Sequence, residues 1–319
     1  MKKYVLLFLT IIPLVAIGQA NKLIRQGLKA EDSIEKIELF TQAIELDPKN
    51  LDAYFHRALA KNDIGDFHGA ILDYTKVIFY EPDADSYYNR GNSKFNLQDF
   101  EGASEDYEQA IAIDPELWDA VYNLGLVKSY LGDYKAAISN FDKILIAFPY
   151  DTRSYRQRAM AHMELENHKE AFFDFARNII INEDSSAYYD RGYALLSLNY
   201  YKEALSDLYK AIRLDRNNTP CYFYIGVARL FLDEYIAAIT GFNESVKFDN
   251  QDFEAHLGLA IAYYKTNELE KAKSSFIKAK EIINKNGMDT DSMEEFNNTY
   301  WYKNHNQFFT EIFKELNAL

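Results

Sequence analysis

Apolar and small side chains recur along this chain with a period of 33 or 34 residues. Alanine stands at Ala70, Ala103, Ala137, Ala171, Ala204, Ala238 and Ala272. Four residues after each comes a large apolar side chain: Tyr74, Tyr107, Phe141, Phe175, Leu208, Phe242 and Phe276. A spacing of four places both on one face of a helix. Twelve residues before each alanine is another small residue: Ala58, Gly91, Gly125, Ala159, Gly192, Gly226 and Ala260. Turn segments such as Leu131-Gly132-Asp133-Tyr134 lie between. Each period therefore predicts two antiparallel helices whose small residues let the backbones approach, with large side chains filling the space beside them. Pro48, Pro82, Pro115 and Pro149 continue the period. Asp47-Pro48 and Asp114-Pro115 mark the end of the second helix, which proline cannot continue.

The units are expected at 51–83, 84–117, 118–151, 152–184, 185–218, 219–252 and 253–286. A degenerate unit over 21–50 precedes them. It keeps Phe40, Ala43 and Asp47-Pro48, but has Lys36 for the alanine and Ile24 for the small residue. Glu183, Arg216 and Asn250 replace the proline in late units. The small–alanine–aromatic–proline pattern resembles the tetratricopeptide repeat, a helix-turn-helix unit of about 34 residues. That resemblance implies an all-α fold: a right-handed superhelical solenoid of stacked helical hairpins. Such arrays need a polar terminal cap, and 287–319 is expected to supply it as a helix or helix pair; a detachable amphipathic interaction segment is the alternative. There Ser292-Met293-Glu294-Glu295 reads as a capping box. Met293, Phe296, Tyr300 and Trp301 share one helical face, as do Phe309, Ile312, Phe313 and Leu316.

The N-terminus reads as a secretory signal over 1–20. Lys2 and Lys3 precede an apolar run from Tyr4 to Ile17, then Gly18-Gln19-Ala20. The run is shorter than the roughly 20 residues that cross a bilayer. Cleavage near Ala20 predicts an exported chain, periplasmic or secreted, without a membrane span; an uncleaved anchor is the alternative.

Four units carry Arg one residue before the first small position: Arg57, Arg90, Arg158 and Arg191. The same four carry Asp one residue before the large position: Asp73, Asp106, Asp174 and Asp207. The other three have Leu124 with Asn140, Ile225 with Gly241, and Leu259 with Ser275. Shared occurrence predicts an Arg–Asp bridge between the two helices of one unit. The equivalent position of the preceding unit offers no Asp to Arg57 or Arg158.

The resemblance also implies that the first helices line a concave groove for a peptide or partner protein. The matching positions carry Phe55, Tyr88, Tyr122, Arg156, Tyr189 and Phe223, joined by Asn89, Asn123, Gln157, Arg153 and Tyr193. Tyr and Arg are common in binding hot spots, and amides can bond a peptide backbone. Only Asn89 and Asn123 match the asparagine ladder of some relatives strictly. Aromatics replace the lysines of a carboxylate clamp in most units.

Composition sharpens this reading. The chain has 49 acidic and 35 basic residues and a formal charge of −14, which argues against nucleic acid as partner. Aromatics make up 15% of the chain. The repeat assigns one share of them to hairpin packing and leaves a smaller share for the groove. A lone Cys221 allows no intramolecular disulfide, and no phosphate-loop, zinc-protease, nucleophile-elbow or dinucleotide motif occurs. The six histidines are scattered. The sequence thus predicts a non-enzymatic interaction scaffold without cofactor or metal, in a cell-envelope assembly. A glycan- or small-ligand-binding protein is the alternative use of an aromatic groove.

Overall fold

The computed structural model describes residues 16–285 and 299–319, and all regular structure among them is helical. The chain forms two compact units, residues 1–167 and 168–319. The first holds α1 (residues 16–27), α2 (Ser33–Leu46), α3 (Leu51–Asp63), α4 (Phe67–Tyr80), α5 (Ala84–Asn96), α6 (Phe100–Ile113), α7 (Trp118–Tyr130), α8 (Tyr134–Ala147) and α9 (Thr152–Glu164). The second holds α10 (His168–Ile181), α11 (Ser185–Ser197), α12 (Tyr201–Leu214), α13 (Pro220–Phe231), α14 (Tyr235–Phe248), α15 (Phe253–Lys265), α16 (Leu269–Lys285) and α17 (Tyr300–Asn317).

The periodic side chains make the packing. Ala58, Ala70 and Tyr74 are fully buried between α3 and α4, and the same positions are buried in the following hairpins. Gly125 shows why the position must be small: a Cβ there would lie 2.7 Å from the Phe141 ring. The first hairpin differs from the repeat pattern. It is Gly27, not the residue at position 24, whose added Cβ would meet the Phe40 ring at 2.7 Å. Ile24 is itself a core side chain, clustered with Ala20, Phe40 and Ala43. The helix ends at residue 27 and the turn that follows is longer, so the point of closest approach has moved toward the turn.

From α3 onward, the turn inside each hairpin ends its first helix in the same way. Gly65, Gln98, Gly132, Glu166, Asn199, Asp233 and Asn267 all have positive φ, between 57° and 79°. The amide one residue later bonds a carbonyl five residues back, as Asp99 N to Lys94 O at 3.0 Å and Tyr200 N to Leu195 O at 2.9 Å. This Schellman closure satisfies carbonyls that the helix end would leave bare. Many of the carboxylates begin helices: Asp66, Asp99, Asp133 and Asp252 each accept a backbone N–H of the first turn. Anionic caps suit the positive helix N-terminus. The missing prolines leave no defect, since α12 and α14 still close through Asp215 N to Ala211 O and Asp249 N to Ser245 O.

In the second unit α17 lies across the last hairpins. Trp301 is fully buried, with ring centroids 5.9 Å from Phe223 and 6.0 Å from Phe242. Phe309, Ile312, Phe313 and Leu316 are buried too. The helix is kinked at His305, whose φ is −140°. Ser292, Met293, Glu294, Glu295 and Phe296 lie outside the described residues.

Candidate functional site

Three Arg–Asp pairs link the two helices of their own hairpin by two parallel bonds. Arg57 Nε and Nη2 donate to Asp73 at 2.8 and 2.7 Å. Arg90 donates to Asp106 at 2.8 and 2.7 Å, and Arg191 to Asp207 at 2.6 and 2.8 Å. Each guanidinium also lies over a tyrosine three residues earlier, 5.5 Å from Tyr54, 5.5 Å from Tyr87 and 5.8 Å from Tyr188. Bonding to the carboxylate holds the pKa of Arg90 and Arg191 above the usual arginine value. The sequence reading missed two further partners. Lys61 and Lys94 add a second cation to Asp73 and Asp106, at 2.8 and 2.9 Å. Thr41 and Thr75, on the preceding hairpin, accept from Arg57 and Arg90, so the pair also ties neighbours together.

The fourth pair is divided between the units, Arg158 in the first and Asp174 in the second. Arg158 also reaches the preceding repeat, at a position the sequence expectation did not weigh: Asp142 on α8 stands where Thr41 and Thr75 stand and accepts from its Nη1. Where no Arg occurs, Leu124 and Asn140 are buried, and at Gly241 an added Cβ would lie 2.8 Å from the backbone nitrogen of Gly226.

The groove candidates separate into several environments. Phe55 and Tyr88 are half-buried, packed on Tyr74 and Tyr107 at 5.8 and 6.0 Å. Tyr189 and Tyr193 close on Tyr224, at 6.0 and 5.1 Å, and burial pushes the Tyr189 hydroxyl up to about 12. The amide row is partly engaged within the protein. Asn89 Nδ2 donates to Asp85 O at 2.8 Å, and Asn123 Nδ2 to Asn92 Oδ1 at 3.0 Å. Asn92 also accepts the Tyr107 hydroxyl at 2.7 Å. Gln157 is half-buried and bonds the Tyr122 hydroxyl, while Arg153 and Arg156 are exposed. Phe223 is largely buried, at 7% exposure, because α17 brings Tyr300 and Trp301 onto it, and it reaches the surface only as part of the wall of a recess.

Tyr122 and Arg153 belong to a recess of about 560 Å³. Its walls are the start of α7 (Trp118, Asp119, Tyr122), the end of α8 with its loop (Ile144, Phe148, Pro149, Tyr150, Asp151), and Arg153 of α9. Trp118 meets Phe148 edge-on at 5.4 Å, and Tyr150 is 75% exposed. Arg153 lies 5.0 Å above the Tyr122 ring with Nε 3.3 Å from Asp151. That bond raises the Arg153 pKa, and burial raises that of Tyr122. The same register yields a recess of about 270 Å³ at Phe55 in the first unit and one of about 380 Å³ at Phe223 in the second. Trp118, Phe148 and Tyr150 were not among the sequence candidates. The available signal was Phe148-Pro149-Tyr150, two aromatics astride a helix-ending proline.

Among the described residues no cluster of three or more His, Cys, Asp or Glu could hold a metal ion, and no helix is long and apolar enough to cross a membrane. Cys221 is fully buried, and burial pushes its thiol up to about 12. Nothing in this arrangement points to catalysis.

Stacked helical hairpins with inter-hairpin recesses define an all-α repeat protein of the solenoid class. Models of the tetratricopeptide repeat match residues 84–117, 122–182, 185–218 and 253–286, together just over half of the chain. The chain belongs to the tetratricopeptide repeat family. It is 35% identical over 100 residues to TPR repeat-containing protein MJ1428 of Methanocaldococcus jannaschii, covering 31% of this chain and 17% of that one. It is 22% identical over 262 residues to the human mitochondrial import receptor subunit TOM70, covering 79% of this chain and 38% of that one. The chain thus spans well under half the length of these relatives. A tetratricopeptide repeat protein from Parabacteroides merdae shares the fold, with a TM-score of 0.60 at 20% identity over 77% of this chain and 99% of that one. Yeast Tom70 gives a TM-score of 0.54 at 18% identity, over 83% and 60% of the two chains. YrrB, described as having an unusual peptide-binding site, gives 0.50 at 24% identity over 58% and 96%.

Proposed function

We propose that this protein is a non-enzymatic scaffold that binds a peptide segment or partner protein along its first helices. The observation that carries the reading is the open recess of Trp118, Tyr122, Phe148 and Tyr150 between neighbouring hairpins. Aromatic walls bury a large area at low entropic cost, and adjacent charges orient what they hold. Phe55, Tyr88, Asn123, Gln157, Arg156, Tyr189 and Tyr193 extend that surface within their own units. Phe223 contributes from the core as support. TOM70, an import receptor subunit, and YrrB, with its unusual peptide-binding site, accord with this use of the fold.

The setting we infer is a cell-envelope assembly reached by export. The support is the order of Lys2-Lys3, the apolar run and Gly18-Gln19-Ala20. Cleavage after Ala20 would leave residues 21–27, including Ile24 and Gly27, to close the first hairpin. N-terminal sequencing from the native host tests export, and an intact Met1 rejects cleavage. Crosslinking pull-down from that host tests the scaffold, with Trp118→Ala plus Tyr122→Ala as the comparison. The double variant should lose a specific partner while keeping its helicity. Capture unchanged by it rejects this recess, and binding to a glycan array in place of any protein rejects the scaffold.

A further inference from the structure

The recess at Phe55 repeats the walls of the recess at Tyr122 with the charge of one wall reversed. At Tyr122 the chain supplies its own cation, Arg153, 5.0 Å over the ring. Arg153 is the second residue of α9, and the second residue of α5 is Asp85. The Phe55 recess is therefore bounded by Asp52, Glu81, Asp83 and Asp85 around a half-buried aromatic floor. Among the described residues no ion pair reaches any of these four carboxylates. A second feature sets it apart. Ser154 Oγ, at the base of α9, donates to Asp151 at 2.5 Å. The equivalent Ser86, fully buried in the wall of the Phe55 recess, has an Oγ with no hydrogen-bond partner.

We propose that the Phe55 recess receives the side chain of a lysine or arginine from a basic partner segment, its cation over the ring and beside Asp52 and Asp85. The occupant's chemistry follows from the protein's own copy of the complex, a guanidinium over Tyr122 beside Asp151 and Asp119. A cation over an aromatic face gains from the ring's quadrupole, and carboxylates at the rim steer it there. This inference rests on the scaffold reading and specifies its partner.

The test is selection of a random 12-residue peptide library on the intact protein, then fluorescence anisotropy with a labelled selected peptide. Enrichment of lysine and arginine is expected. Asp85→Arg, which places a resident cation as Arg153 does, should weaken binding roughly tenfold or more. Glu105→Arg changes the net charge equally on the exposed face of α6 and should stay within about threefold. Arg153→Asp empties the Tyr122 recess of its cation and should strengthen binding by about threefold or more. This gain does not depend on how well the Asp85 variant folds. Equal losses in Asp85→Arg and Glu105→Arg would assign the effect to overall charge and overturn the inference. Selection of neutral or acidic peptides would also overturn it while leaving the scaffold intact, whereas no selected peptide at all would remove both.

Discussion

Arg90→Met tests how much the internal ion pair holds two helices together. Arg90 and Asp106 have side-chain exposures of 16% and 3%, so the carboxylate has little water to fall back on. Removing the cation of a buried pair costs about 3–5 kcal/mol, mostly from the charge left behind. Here Lys94 stays 2.9 Å from Asp106 and the methionine keeps the stem on Tyr87, so the cost should fall to about 2 kcal/mol. The Arg191–Asp207 pair offers the control. Leu195 stands where Lys94 stands and Ala176 where Thr75 stands, so Arg191→Met leaves Asp207 without a second cation. Its cost should be about 3 kcal/mol or more. Repeat arrays need not unfold in one step. The assay is therefore native-state hydrogen exchange of α5–α6 and α11–α12 amides, alongside urea unfolding. A double-mutant cycle with Asp106→Ala should give a coupling of about 1.5–2 kcal/mol that survives about 0.5 M salt, because buried pairs are weakly screened. A coupling below about 0.5 kcal/mol, or an Arg191→Met no costlier than Arg90→Met, would refute the reasoning.

Three further outcomes are expected. Gln98→Gly and Asn199→Gly relieve a positive φ of 62° and 64° and should stabilise by up to about 1 kcal/mol, whereas Gly132→Ala should destabilise by about 1 kcal/mol; urea midpoints decide. Burial pushes the Glu254 carboxyl, which accepts the Tyr300 N–H at 3.0 Å, up to about 7. A carboxyl raised in the folded state binds its proton more tightly there, so docking of α17 should weaken as pH rises from about 4.5 to 7. Trp301 fluorescence in a Trp118→Phe background should follow this, and Glu254→Gln should flatten it. Cys221 should resist thiol reagents at pH 8 until denaturant is added, since its thiol stays protonated and enclosed. Rapid native labelling would contradict that burial.

The sequence by itself determined the hairpins, because a small residue, an alanine and a large side chain recurring every 33 or 34 positions satisfy only one pair of packed helices. It also determined the partners of Arg57, Arg90 and Arg191, since both members of a same-hairpin pair occur together in one unit. Tertiary structure decided the rest. Gln98, Glu166 and Asn199 accept the left-handed backbone because the hairpin fixes that point of the turn, whatever residue occupies it. Gly27 replaces position 24 because the first helix stops early. Phe223 is mostly buried because α17, distant in sequence, packs on it, and no local period encodes that contact. The recesses at Phe55 and Tyr122 each take three helices and a loop to enclose. Their charge, set by Asp85 in one and Arg153 in the other, acquires meaning only when those helices bring it into one recess with an aromatic ring.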